Sequence, residues 1–372
     1  MLESGMVRSK NSINVIMKNY TDMCFGALVF WIVGYGLMFG TNTTGFFGTD
    51  LFCLRDGEPW DYMILMYQMM FAATAATIVS GALAERIRFS AYVIVAMIIT
   101  GFIYPVFGAW AWNDGGWLAQ RGFVDFAGSS AVHSVGGWCA LAGLLALGPR
   151  LGRFGDNGEI REIGGHNLPL VAFGGMILWF GWFGFNGGST LAANDQLGVI
   201  LLCTHLSGAA GVVGFVGTRM IFGGKILMTD TVNGGLAGLV AVTAGCATMD
   251  PFYAMITGLV AGGICVFATD LCMKFKWDDA VGAVAVHGVC GVWGTLAAGL
   301  FFSGDLFNQG RIVTQLIGIG ACFAWTFPTA LLTFSLVSVL TSLRVSTTEE
   351  QRGLDFSEHH EVGYPEFQAQ LH

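Results

Sequence analysis

A helix needs about 20 consecutive, mostly apolar residues to cross the hydrocarbon core of a bilayer, and this chain contains ten segments of that kind. They run approximately over 14-39, 61-84, 88-112, 126-148, 167-187, 195-221, 230-248, 252-273, 279-302 and 312-342. Within hydrocarbon every backbone amide and carbonyl must find its partner inside the chain, so segments of this length read as helices. With 54% hydrophobic and 11% charged residues among 372, too little polar side chain remains to coat a water-soluble fold. The 55 glycines fit this picture, because small residues let membrane helices approach closely. The expected fold is all-α: a polytopic membrane protein of ten transmembrane helices over residues 1-342, with a polar tail over 343-372. No enzyme is expected.

The basic residues orient the chain. If the N-terminus is cytoplasmic, 14 of the 17 Lys and Arg fall in inner loops, and only Arg55, Arg121 and Arg311 fall in outer ones. Cytoplasmic loops carry such an excess, so the chain is read as a multi-pass protein of the cell membrane with both termini cytoplasmic. The net charge of -8 comes from loops and from the tail after Thr347. Eight of the nine cysteines, Cys24, Cys139, Cys203, Cys246, Cys265, Cys272, Cys290 and Cys322, lie in apolar runs and read as small buried hydrophobes; Cys53 falls in a loop. Met1 to Asn19 is polar and basic, unlike a cleavable signal peptide.

A short pattern occurs twice. Ala131-Val132-His133-Ser134-Val135-Gly136-Gly137 and Ala285-Val286-His287-Gly288-Val289-Cys290-Gly291 share Ala-Val-His-x-Val-x-Gly, and Asp125 and Asp279 each stand eight residues before the histidine. The copies lie in the fourth and ninth segments, and an odd offset makes the two helices cross in opposite directions. That is an inverted five-helix repeat around a central pore, an arrangement in which substrate sites lie near the midplane. The same symmetry asks for a helix before the first segment, which the residues after Met1 do not encode.

An ionisable side chain inside a span is costly and points to function. Small residues at the third and fourth positions after each histidine let the two helices close up, so that the imidazoles meet. An imidazole pair sharing one proton offers a donor and an acceptor, suiting a small hydrogen-bonding solute or a proton relay; a helix-to-helix hydrogen bond is the plainer reading. His205 is mid-span without a repeat partner and reads as packing; His166, His359 and His360 lie in an inner loop and the tail, where solvated or regulatory roles fit. His-Glu-x-x-His is absent, and no metal, cofactor or nucleic-acid partner is expected. Asp125 and Asp279 stand where a carboxylate caps free amides and complements the helix dipole. Asp125 also biases an outer vestibule towards cations.

These segments resemble the ammonium transporter (Amt) family over nearly the whole chain. The resemblance also rests on Gly81-Ala82-Leu83-Ala84-Glu85-Arg86-Ile87-Arg88-Phe89, His166-Asn167-Leu168-Pro169, Gly181-Trp182-Phe183-Gly184-Phe185-Asn186-Gly187-Gly188-Ser189 and the tail residues Gly353-Leu354-Asp355 with Glu358-His359. It implies a homotrimer with one hydrophobic pore per subunit, in which His133 and His287 are the family's twin histidines. It further implies an outer ammonium-recruitment site at Trp112 and Ser189, a stacked phenylalanine gate at Phe71 and Phe185, and neighbouring pore positions at Gln68 and Trp182. Ammonium would be drawn by cation-π contact and a hydroxyl acceptor. Carrying its charge through an apolar pore costs several kcal/mol or more, so deprotonation at the gate is implied, with ammonia moving on with or without the proton. Methylammonium is the natural analogue, and the tail, as a cytoplasmic regulatory element, implies a partner such as a P-II-type protein.

The sequence departs from the family pattern in places. The family has eleven spans, and Gly5-Met6-Val7-Arg8-Ser9-Lys10-Asn11 resembles the inner loop after its first helix. The Trp112-to-Asp125 spacing is one residue longer than in some relatives, and His360 stands at a glycine of relatives. Outside the resemblance, packing would account for Phe71, Phe185 and Trp182 in a chain with 13% aromatic residues. An ammonium sensor and a Rhesus-type gas channel remain alternatives to transport.

Overall fold

The computed structural model describes residues 1–367; positions 368–372 of the expected tail lie outside the described residues. After a short helical turn, Leu2–Met6, the chain forms α1 (Ser9–Phe39), α2 (Pro59–Ala82), α3 (Phe89–Trp112), α4 (Ser129–Leu147), α5 (Leu168–Gly188), α6 (Gln196–Phe222), α7 (Met228–Val242), α8 (Pro251–Lys274), α9 (Val284–Leu300) and α10 (Gln309–Leu340). Eight of these are long and apolar enough to cross a membrane; α7 and α9 are shorter. The protein is an all-α, polytopic membrane protein. Among the described residues there is no β-sheet, and the only bridges are the isolated pairs Ile87 with Arg344 and Phe154 with Ile160.

Local chemistry sets several helix starts. Asn167 and Asp250 each accept a backbone N–H two or three residues ahead and precede helices with a proline in the first turn. Glu58 and Asp61 form a reciprocal capping box around Pro59. Such caps satisfy amides that the helix itself leaves unpaired.

Three helices are shorter than their apolar runs. The run expected over 230-248 is helical only to Val242, because the loop before α4 takes its last carbonyls: Phe126 donates to Ala244 O (2.9 Å) and Ala127 to Thr243 O (3.1 Å). The runs expected from 126 and 279 become helical at Ser129 and Val284, after loops folded over Asp125 and Asp279.

The helices form two groups that meet in the middle. α1 packs on α2 and α3, and α4 on α2 and α10; α6 packs on α7 and α8, and α9 on α7 and α8. The groups join where α4 crosses α9, and the two backbones approach closely there. A β carbon on Gly291 would lie 2.4 Å from Ser134 Oγ and 2.5 Å from Ser129 O, so only glycine fits there.

Cys24, expected to be buried, is exposed on the outward face of α1, since a lipid-facing helix surface is as apolar as a core; all nine cysteines are unpaired. One end of the bundle is held by buried charge. Arg150 pairs with Asp278 (2.8 Å) and Glu85 (3.2 Å), and Arg8 also reaches Glu85 (2.8 Å). The tail helices Thr347–Arg352 and Leu354–His359 dock on the same end. Asp355 accepts the Asn14 N–H (2.8 Å), and Glu358 accepts those of Phe89 (3.0 Å) and the Asn14 side chain (3.1 Å). His359 stacks edge-on against Phe89, and His166 contacts Val7 O (2.9 Å) and the Tyr364 hydroxyl (2.8 Å). Neither histidine is freely solvated.

Candidate functional site

The crossing of α4 and α9 is built from one local device used twice. Ser129–Ser134 and Val284–Val289 are π-helical turns, each carrying its histidine. Gly128 (φ +108) and Gly282 (φ +83) stand five residues before the histidines in a conformation side chains resist. Each turn opens under a carboxylate. Asp125 accepts the N–H groups of Ser130 (3.0 Å) and Ala131 (2.8 Å); Asp279 accepts those of Gly282 (2.9 Å) and Val284 (2.7 Å). A π turn widens the helix by one residue and is common at functional positions. Here it turns both imidazoles toward the crossing.

The imidazoles meet. His133 Nδ1 lies 3.2 Å from His287 Nδ1, with the rings offset and inclined at 28°. At that distance one nitrogen donates and the other accepts. The Nε2 of His133 is buried and has no hydrogen-bond partner among the described residues.

Aromatic rings continue the line from this pair. Trp182 stacks on His133 at 5.1 Å, Phe185 stands 5.3 Å from the same imidazole, and Phe71 lies 4.2 Å from Phe185. Trp112 stands edge-on to Phe71 at 6.1 Å, and its indole donates to the Asp125 carbonyl (2.6 Å). Ser189 sits one helical turn beyond Phe185 and donates to its carbonyl (2.9 Å). Thus His133, His287, Trp182, Phe185, Phe71, Trp112 and Ser189 form one connected group. Gln68 stands apart from it, joined to the Tyr104 hydroxyl at 3.5 Å.

A cavity of about 490 Å³ opens beside the histidines, lined by both of them with Trp182, Phe185, Thr74, Thr77, Asn19 and Glu3 among others. Its aromatic end repels a hydrated ion, while ring faces favour a bare cation. The imidazoles are the polar groups beside the aromatic rings, and Glu3, Asn19, Thr74 and Thr77 add others farther along the cavity wall. Among the described residues no three His, Cys, Asp or Glu side chains gather as metal ligands.

The Ammonium Transporter Family profile matches residues 1–364, nearly the entire chain. The chain belongs to the ammonium transporter family. It is 42% identical over 396 residues to ammonium transporter Amt2 of Archaeoglobus fulgidus, covering 99% of this chain and 84% of that protein. A putative ammonium transporter of Synechocystis sp. is 44% identical over 375 residues, covering 96% of this chain and 69% of the relative. Among solved structures, a sensor Amt protein superimposes with a TM-score of 0.92 at 38% identity, over 96% of this chain and 92% of that one.

Two contacts of this family member escaped the sequence reading. The Tyr67 hydroxyl donates to Phe185 O (2.6 Å) and lies 3.0 Å from Ser189 Oγ, tying α2 to α5 beside the aromatic pair. Tyr67 precedes Phe71 by one helical turn and packs against it at 4.8 Å, a spacing that helical periodicity makes visible. Thr243 accepts the Trp182 indole N–H at 3.0 Å, and no linear signal joins residues so far apart. His205 is exposed, flanked by Trp179 and Phe183 on the outer surface of α6.

Proposed function

We propose that this chain carries ammonium across the cell membrane. Ammonium is recruited beside Trp112 and Ser189, loses its proton at the Phe71–Phe185 pair, and proceeds as ammonia past His133 and His287, the proton either staying in the outer water or passing separately along the imidazole pair. The observation that carries the reading is the 3.2 Å contact between two imidazoles set behind phenylalanine rings 4.2 Å apart. A bare charge does not cross such a stretch cheaply, whereas a neutral hydrogen-bonding solute exchanges one imidazole partner for the next. Trp182 shapes the wall beside His133, and Asp125 and Asp279 hold the two turns.

The reading extends to the whole molecule. Ten spans place both termini in the cytoplasm, and the first four and the next five are arranged as an inverted repeat; the matching π turns and capping carboxylates support it. The transporter works as a homotrimer. Residues 343-372 form a cytoplasmic regulatory tail that a P-II-type protein could address. Similarity to a sensor Amt protein favours sensing by the same site as the second reading.

Uptake of labelled methylammonium in cells lacking their own ammonium transporters tests the proposal. The expected result is saturable uptake that a His133→Ala, His287→Ala double variant abolishes. Undiminished uptake by that variant would overturn the pore assignment, and binding without uptake would favour the sensor.

A further inference from the structure

The cavity beside the histidines ends at a carboxylate that the transport path has not used. α2 lines the cavity with Thr74, Thr77, Ile78 and, at its last turn, backs onto Glu3. Gly81 packs closely on both Val281 and Glu3: a β carbon there would lie 2.6 Å from Val281 Cγ2 and 3.0 Å from the Glu3 carboxyl carbon. The Asn19 amide donates to Glu3 Oε2 (3.1 Å), and the Thr77 hydroxyl donates to Asn19 Oδ1 (3.1 Å), which fixes the amide with its N–H side toward the carboxylate. Among the described residues Glu3 is the only acidic side chain lining this cavity. At the other end, His133 Nε2 is buried without a partner.

Lys18 and the Met1 ammonium act on Glu3 through space, but neither forms an ion pair with it among the described residues. Lys18, fully buried on α1, points its ammonium at the Ser80 carbonyl (3.4 Å) and over the Tyr92 ring. Asp22 takes the Tyr92 hydroxyl. The Met1 terminus borders the same cavity. A carboxylate held by the Asn19 amide, in a cavity that Thr74 and Thr77 also line, suits a small cation with several N–H donors better than a hydrated metal ion, which wants more oxygen ligands.

We propose that Glu3, positioned by Asn19 and Thr77, forms a second cation site for ammonium and monoalkylammonium ions at the inner end of the pathway. This rests on the transport reading above. The site favours the protonated solute where it leaves the twin histidines, as the aromatic rim favours it on arrival.

Two measurements on membrane-embedded full chain test it. In infrared difference spectra, ammonium chloride against sodium chloride shifts a carboxylate band in the unmodified protein, and Glu3→Gln removes that shift. In oriented proteoliposomes, Glu3→Gln raises the half-saturating methylammonium concentration about tenfold from the inner side, the loss of roughly one charge-assisted hydrogen bond, and Thr77→Val, which releases the Asn19 amide, raises it in the same direction by less, while the outer side changes less than about twofold. An ammonium-dependent band that survives Glu3→Gln, or equal shifts on both sides, overturns the site. If the unmodified chain moves no methylammonium, the transport reading falls and the infrared result alone decides whether Glu3 holds the cation.

Discussion

Gly137 stands so close to Gly288 that a β carbon on it would lie 2.2 Å from the Gly288 amide nitrogen. These residues follow His133 and His287 by four and one positions, so the contact sets the spacing of the imidazoles. Gly137→Ala is expected to force α4 from α9 and cost about 1–3 kcal/mol as an overpacked core site, lowering the melting temperature in detergent and reducing methylammonium uptake. Gly198→Ala, where a β carbon meets nothing within 4 Å, is the control and should melt no lower. A Gly137→Ala protein with unchanged uptake would separate the helix crossing from the site.

Trp182 keeps its face on His133 through one hydrogen bond to Thr243. Thr243→Val leaves a buried indole N–H unpaired, a loss of about 1–3 kcal/mol. Reduced thermal stability together with slower uptake is expected, and Thr243→Ser should retain both. Equal behaviour of the valine and serine variants would show that the hydroxyl is dispensable.

Tyr67 braces Ser189 and the Phe185 carbonyl at once. Tyr67→Phe removes a net hydrogen bond of about 1 kcal/mol, and the expected sign is a weaker apparent affinity for methylammonium presented outside. Concentration-dependent uptake measures it; an unaltered half-saturation with a lowered maximal rate would assign Tyr67 to the gate instead of recruitment.

The buried charges at the tail end give a pH dependence. Burial alone would raise Asp278, but the hydrogen bonds and charge of Arg150, with Arg86 nearby, hold it well below the usual carboxylate range. Glu85 is likewise lowered against burial by Arg150 and Arg8. A depressed carboxylate contributes stability that is fully present above its unfolded value, about 4, and is lost as pH falls through the folded value. Melting temperature should therefore be level near neutrality and fall as the medium is acidified below about pH 4. Asp278→Asn removes one partner of a fully buried pair, costs about 3–5 kcal/mol, and should flatten part of that acid slope.

The sequence carried the parts of this molecule that repeat or cost energy. His133 and His287 were legible because an ionisable residue in a span is expensive and because the flanking pattern recurs, with Asp125 and Asp279 at matching distances. The π turns that aim them were not, since the apolar pattern of a π turn is that of an α-helix and only the hydrogen-bond register differs. Helix ends shifted where loops folded back: the early stop at Val242 depends on carbonyls taken by Phe126 and Ala127. Thr243 beside Trp182, and Glu3 against Gly81, are contacts made by the fold between distant segments, which composition and spacing do not encode.

On the proposed inverted repeat, the duplicated turn makes the middle of the pathway a palindrome along the membrane normal. A solute travelling inward and one travelling outward meet the same glycine, the same capping carboxylate and the same imidazole in the same order. Within that palindrome only the rings of Trp182 and Phe185, stacked on His133 and not on His287, break the symmetry. Any preference for one direction is then set by those rings, by the two proposed mouths, with an indole and a hydroxyl on one side and a carboxylate on the other, or by whatever consumes ammonium in the cell.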